Sequence, residues 1–185
     1  MKKKIAISIV AVALVLCCAI GGTLAWLTAE SAQVTNTFTV GDINIELKED
    51  SGASANYQFK MVPGNTITKD PKVTVKANSE ACYLFVKVTK SGNFDQFLTY
   101  AMADGWTQYK DTDVWYRDPN VAASAADQTF EVLKNNAVTV NGTVTKEMMT
   151  SSDFATPTLT FKAAAVQEAN LTLDAAYAEA LAKLG

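Results

Sequence analysis

Residues 72–88 read KVTVKANSEACYLFVKV, and this stretch decides the fold. Val73, Val75 and Ala77 alternate with Lys72, Thr74 and Lys76, the period-two pattern of a strand with one wet face. Asn78-Ser79-Glu80 turns the chain. Residues 81–88 are apolar on both faces, which predicts a central strand covered on each side.

Towards the N-terminus the same period continues. Pro63-Gly64 fits the centre of a type II turn, where proline presets one residue and glycine accepts positive φ at the next. Tyr57, Phe59 and Met61 alternate with polar residues, and residues 48–56 (KEDSGASAN) read as a surface loop. Ile43, Ile45 and Leu47 share one strand face. Val34, Asn36, Phe38 and Val40 share another in shifted register, so a bulge or break is expected at Gly41-Asp42.

Towards the C-terminus, Asn93 is expected to cap a helix in which Phe94, Phe97, Leu98, Ala101 and Met102 share a face and which Gly105 ends. Residues 106–109 and 114–117 flank a polar turn and predict an aromatic hairpin. Residues 121–126 read as a loop of small residues and 130–133 as an irregular strand. Asn141-Gly142 signals a hairpin, with a three-residue loop that pairs Val138 with Val144 and gives Gly142 positive φ. Leu159, Phe161, Ala163 and Ala165 alternate with Thr158, Thr160 and Lys162 in a last strand. Thr172 caps a C-terminal helix with a stripe of Leu173, Ala176, Tyr177, Ala180, Leu181 and Leu184. The expected fold is mainly β: an antiparallel jelly-roll-type β-sandwich with two or three short helices, one at the C-terminus.

Residues 1–25 have the layout of a secretory signal. Lys2, Lys3 and Lys4 precede an uncharged apolar run, and Thr23-Leu24-Ala25 offers small residues for cleavage between Ala25 and Trp26. The organisation read from this is a signal peptide over 1–25, an N-terminal strand segment over 26–47, and one β-sandwich domain over 48–185. Cleavage leaves 13 basic and 19 acidic residues, a net charge of −6. That balance argues against nucleic acid, which selects clusters of Lys and Arg. Cys17 and Cys18 leave with the signal, so Cys82 has no disulfide partner and reads as a small buried hydrophobe. Leu16 is too large for the position before a lipidated Cys17, and no wall-sorting sequence ends the chain.

The chain contains no histidine, which removes Ser-His-Asp and Cys-His catalysis and the helical zinc-protease motif. No catalytic residue, cofactor or metal site is expected. Asp111, Asp113 and Asp118 are the carboxylates nearest to a calcium arrangement, but the glycine and distal glutamate of a calcium loop are missing. Glu147 reads as an ordinary short-helix residue.

GGTLAWLTAE followed by VTNTFTVGDINIEL, then VPGNTITKDPKVTVKANSEACYLFVKV, then PTLTFKAAAVQEANL, together resemble the TasA/camelysin family of secreted Gram-positive fibre proteins. Residues 93–149 match the pattern only loosely. The resemblance implies processing by the dedicated signal peptidase SipW, export to the extracellular matrix or cell surface, and head-to-tail polymerisation into biofilm matrix fibres. It implies that a freed N-terminal segment adds a strand to the next subunit. Here that donor is residues 26–40, with Trp26, Leu27, Val34, Phe38 and Val40 as anchors. An extended apolar segment of this kind buries its face by pairing with an open sheet edge, and such a contact propagates because it does not close. The same segment could instead be the first strand of its own sheet. An accessory anchoring or nucleating protein is left open as a further partner. Some family members carry a metalloprotease label, for which no motif is present here. The alternative function is a monomeric cell-surface binding module or adhesin, held by an uncleaved N-terminal anchor. Trp106, Tyr109, Trp115 and Tyr116 could serve it as a surface aromatic platform or simply pack within their hairpin.

Overall fold

The stretch that decides the fold also lies at its centre. In a computed structural model, which describes residues 42–49 and 60–185, strand β4 (Cys82–Lys90) is paired on both sides and buried on both faces. Leu84, Val86 and Val88 point to one face, and Tyr83 and Phe85 to the other. The chain is mainly β; among the described residues every strand pair is antiparallel and there are three helices, one of them C-terminal. All described residues fall in one compact unit, Val40–Gly185.

Among the described residues, ten strands form three sheets. In the first, β3 (Pro71–Val75) lies between β1 (Ile45–Glu49) and β8 (Gln128–Glu131). In the second, the order is β10 (Leu159–Gln167), β4, β7 (Val114–Arg117), β6 (Trp106–Gln108). In the third, β9 (Leu133–Val140) lies between β2 (Thr66–Thr68) and β5 (Leu98–Met102). The first and third sheets run on into each other. Lys69 N–H bonds to Asn136 C=O at 2.8 Å and Val132 N–H to Pro71 C=O at 2.9 Å across the joint. The irregularity expected at residues 130–133 is this joint, where β8 stops and β9 begins.

Three apolar clusters hold the layers. Val73 and Val75 of the first sheet meet Leu84, Val86, Val88 and Trp106 of the second. On the second sheet's other face, Phe85, Val114, Ala164 and Val166 are covered by helix α3 (Leu173–Leu184) through Ala176, Ala180 and Leu184. Thr172 caps α3 as expected, its Oγ1 accepting from Ala175 N–H at 3.3 Å. Leu181, expected in the buried stripe, is 42% exposed, while Ala176, Ala180 and Leu184 are buried. The third cluster packs Phe94, Phe97, Leu133, Val138 and Val140 with Val144.

Several local readings hold. Gly64 has φ +78 and Asn65 N–H bonds to Val62 C=O at 3.0 Å, a type II geometry. The aromatic hairpin forms, with Thr107 opposite Tyr116. Ile45 and Leu47 lie on one face, but β1 continues through Lys48 and Glu49, which the loop reading had placed outside it.

Two readings are corrected. The helix expected from Asn93 to Gly105 is one turn, α1 (Phe94–Phe97), and Asn93 makes no side-chain cap. The chain then becomes β5, whose Leu98, Thr99 and Tyr100 pair with β9. Phe94, Phe97 and Leu98 fit a helical face, but Leu98, Tyr100 and Met102 equally fit a strand, and the long-range ladder wins. Asn141-Gly142 makes no hairpin. Val138 pairs with Tyr100 and Ile67 rather than Val144, and Gly142 does not take positive φ. The Asn141 amide instead donates to the Asp95 and Gln96 carbonyls, and the chain proceeds to α2 (Lys146–Thr150), capped by Thr145, which contains Glu147. The strands expected over 34–40 and at Tyr57 and Phe59, and the break at Gly41, lie outside the described residues.

Candidate assembly site: an open flank between two edge strands

Strands β1 and β10 are edges of facing sheets. The ladder fixes which of their backbone groups point outward. Ser91 N–H bonds to Thr158 C=O and Glu168 N–H to Ala81 C=O, so even-numbered residues of β10 pair with β4. The N–H and C=O of Leu159, Phe161, Ala163, Ala165 and Gln167 therefore face away from it. In β1, Lys76 N–H bonds to Asn44 C=O, so Ile45, Leu47 and Glu49 present theirs outward. Among the described residues no strand pairs with either edge on that side.

The same odd-numbered residues carry the inward side chains. Ile43, Ile45, Leu47, Leu159, Phe161 and Ala163 all pack against the first cluster, and all are only partly buried. The flank thus combines half-covered apolar side chains with two rows of outward backbone groups. At one end lies a recess of about 310 Å³ lined by Asp42, Ile43, Glu80, Gln167, Glu179 and Lys183. There Lys183 Nζ donates to the outward Ala165 carbonyl at 3.2 Å.

The opposite flank, where β8 and β6 meet, is bridged by side chains beneath a surface groove. Trp106 Nε1–H donates to Glu131 C=O at 2.8 Å. The Arg117 guanidinium lies 4.6 Å from the Phe130 ring centroid and 5.7 Å from that of Trp106, and donates to Asp104 C=O at 2.8 Å. Gly105 (φ +84) makes this possible, since a Cβ there would collide with the guanidinium.

The residues singled out in the sequence fall in separate places. Ala25 and the segment with Trp26, Leu27, Val34, Phe38 and Val40 lie outside the described residues. Trp106 and Tyr109 are 7% and 6% exposed. Trp115 packs with Trp106 into the first cluster, Tyr116 into the second, and Tyr109 stacks on Tyr177 at 3.7 Å while donating to Asp174 at 2.7 Å. The four rings share no exposed platform. The hydrogen bond from Tyr109, then Lys110, holds the Asp174 carboxyl below the usual carboxylate range.

Among the described residues no group of three or more His, Cys, Asp or Glu could hold a metal ion, so Asp111, Asp113 and Asp118 form no such site. Asp113 stands 4.0 Å from Lys87. Cys82 is fully buried, and burial pushes its thiol up to about 11. No described helix is long and apolar enough to cross a membrane.

The fold is that of a mainly β, antiparallel protein in which β1 and β10 are unpaired on one flank among the described residues. The family model described as camelysin metallo-endopeptidase matches residues 1–87, from the signal-like leader through most of β4. Over that span the chain is similar to the TasA/camelysin family. No curated protein and no solved structure matches it. The described residues do not fit the metal that the family's description implies: the chain has no histidine, and its carboxylates do not gather.

Proposed function

We propose that this chain is a secreted structural subunit, not an enzyme, that polymerises head-to-tail into extracellular biofilm matrix fibres. In this reading a SipW-type peptidase cuts between Ala25 and Trp26 and frees residues 26–40. That segment adds as a strand to the open flank of the next subunit, which has the jelly-roll-type arrangement of two facing sheets. The work is done outside a Gram-positive cell.

The observation that carries the proposal is the β1–β10 flank. Its outward backbone groups and half-covered Ile45, Leu47, Leu159 and Phe161 are what an apolar extended segment would complete. Nine-residue β10 offers a long template. The donor contact is heterologous, so each addition leaves a fresh flank.

Negative-stain microscopy of the secreted protein tests this directly. Fibres are expected from the mature chain, and none from a chain lacking residues 26–40. A mature protein that stays monomeric at high concentration, with stability unchanged by that deletion, contradicts the proposal.

A further inference from the structure

We propose that the groove between β8 and the β6–β7 hairpin binds an acidic sugar: a hexuronate residue of a polysaccharide. Arg117 is the only arginine in the chain; the other 15 basic residues are lysines. Its faces are used by Phe130, Trp106 and the Gly105 backbone, whereas most of its edge is not. One N–H of five donates to Asp104 C=O, and no described carboxylate lies within ion-pair distance of it. Burial lowers its pKa, as expected for a cation desolvated without a counter-ion.

The guanidinium lines a groove of about 350 Å³, large enough for one or two sugar rings. Thr129, Phe130, Glu131, Lys134 and Asn135 complete it with Asp104. The two acids are already engaged. Asp104 lies 3.7 Å from Lys134 Nζ, and Glu131 Oε1 accepts from Asn136 Nδ2 at 2.9 Å. Both carboxylates accept hydrogen bonds from ligand hydroxyls. A planar fork of donors takes a carboxylate bidentately, which a lysine does not. A ligand with one carboxylate among several hydroxyls uses the whole set, and a uronic acid is that ligand. The guanidinium, pinned by two rings, loses little freedom on binding it.

Titration of the purified chain with trigalacturonate, a neutral galactose trimer and acetate tests this, read by calorimetry and by the Trp106 indole N–H resonance. Trigalacturonate is expected to bind at least about tenfold tighter than either control, shifting that resonance. Arg117→Lys should weaken it about tenfold or more. Because Arg117 also braces the flank, Lys134→Ala serves as a second variant, with Tm unchanged and affinity reduced about twofold to fivefold. Equal binding of the neutral trimer, equal binding of acetate, or unchanged affinity in a folded Arg117→Lys chain each overturns the assignment. The titration runs below the critical concentration for fibre growth, so its outcome is separate from that of fibre formation.

Discussion

Ala163→Lys should separate folding from assembly. Ala163 is the central outward-facing residue of β10, and its side chain lies between the sheets yet is only partly buried. In the free subunit the lysine stem can lie along Phe161 and Ile45 while its ammonium reaches water through the open flank. The cost to the monomer is then that of a surface change, about 0.5 kcal/mol, and Tm should move by no more than about 3 °C. In a fibre the incoming strand closes the flank over the ammonium, and the only charge known on residues 26–40 is Glu30. An uncompensated buried charge costs roughly 3–5 kcal/mol. At 1.4 kcal/mol per tenfold, the critical concentration for fibre growth should rise by roughly 100-fold to 4,000-fold. Pelleting across a concentration series measures it, beside a thermal melt of the soluble fraction. Fibres at the wild-type critical concentration from a folded variant would show that β10 is not the acceptor. A collapse of Tm would show that the flank is closed in the monomer.

Three further outcomes follow from the same geometry. Gly105→Ala should destabilise the fold by about 1–3 kcal/mol in a denaturant titration, because φ +84 is strained for alanine and its Cβ displaces Arg117. Acid should weaken the protein only below about pH 4. Asp127 is held below its ordinary value by Ala77 N–H and then Lys76, Glu46 by Lys48 and then Lys76, and Asp174 by Tyr109. Their stabilisation is full above the unfolded pKa and disappears as pH falls through the lower folded values. With no histidine, melts between pH 5.5 and 7.5 should be nearly superimposable. Iodoacetamide should label Cys82 in the native protein no faster than global unfolding exposes it, as peptide mapping by mass reads out, since the thiol is buried and its pKa is about 11.

Features set by neighbouring residues were legible from the chain alone. The two-sided apolar run of β4, the Pro63-Gly64 turn, the aromatic hairpin and the Thr172 cap each carry their cause within a few residues. The misread elements depend on distant partners. Residues 98–102 satisfy both helical and strand periods, and only β9, more than thirty residues on, decides between them. The signal at Asn141-Gly142 assumed a returning strand, whereas the Asn141 amide is taken by the end of α1. The flank itself was invisible because an edge is defined by what does not pair with it. The donor is what the family resemblance implies, with its apolar alternation in support, but no local pattern in residues 159–167 says that β10 has one neighbour and β4 has two. The bridging of the other side depends on Gly105-Trp106, Arg117 and Phe130 meeting from three points in the chain.

The most direct measurement is amide hydrogen exchange along β10, in the soluble subunit and in assembled fibres. The ladder predicts an alternation. Thr160, Lys162, Ala164 and Val166, bonded to β4, should be protected in both states. Phe161, Ala163 and Ala165 should exchange quickly in the subunit and become protected in the fibre. Odd-numbered amides that are already protected in the subunit, or that stay unprotected in the fibre, would contradict strand addition at this flank.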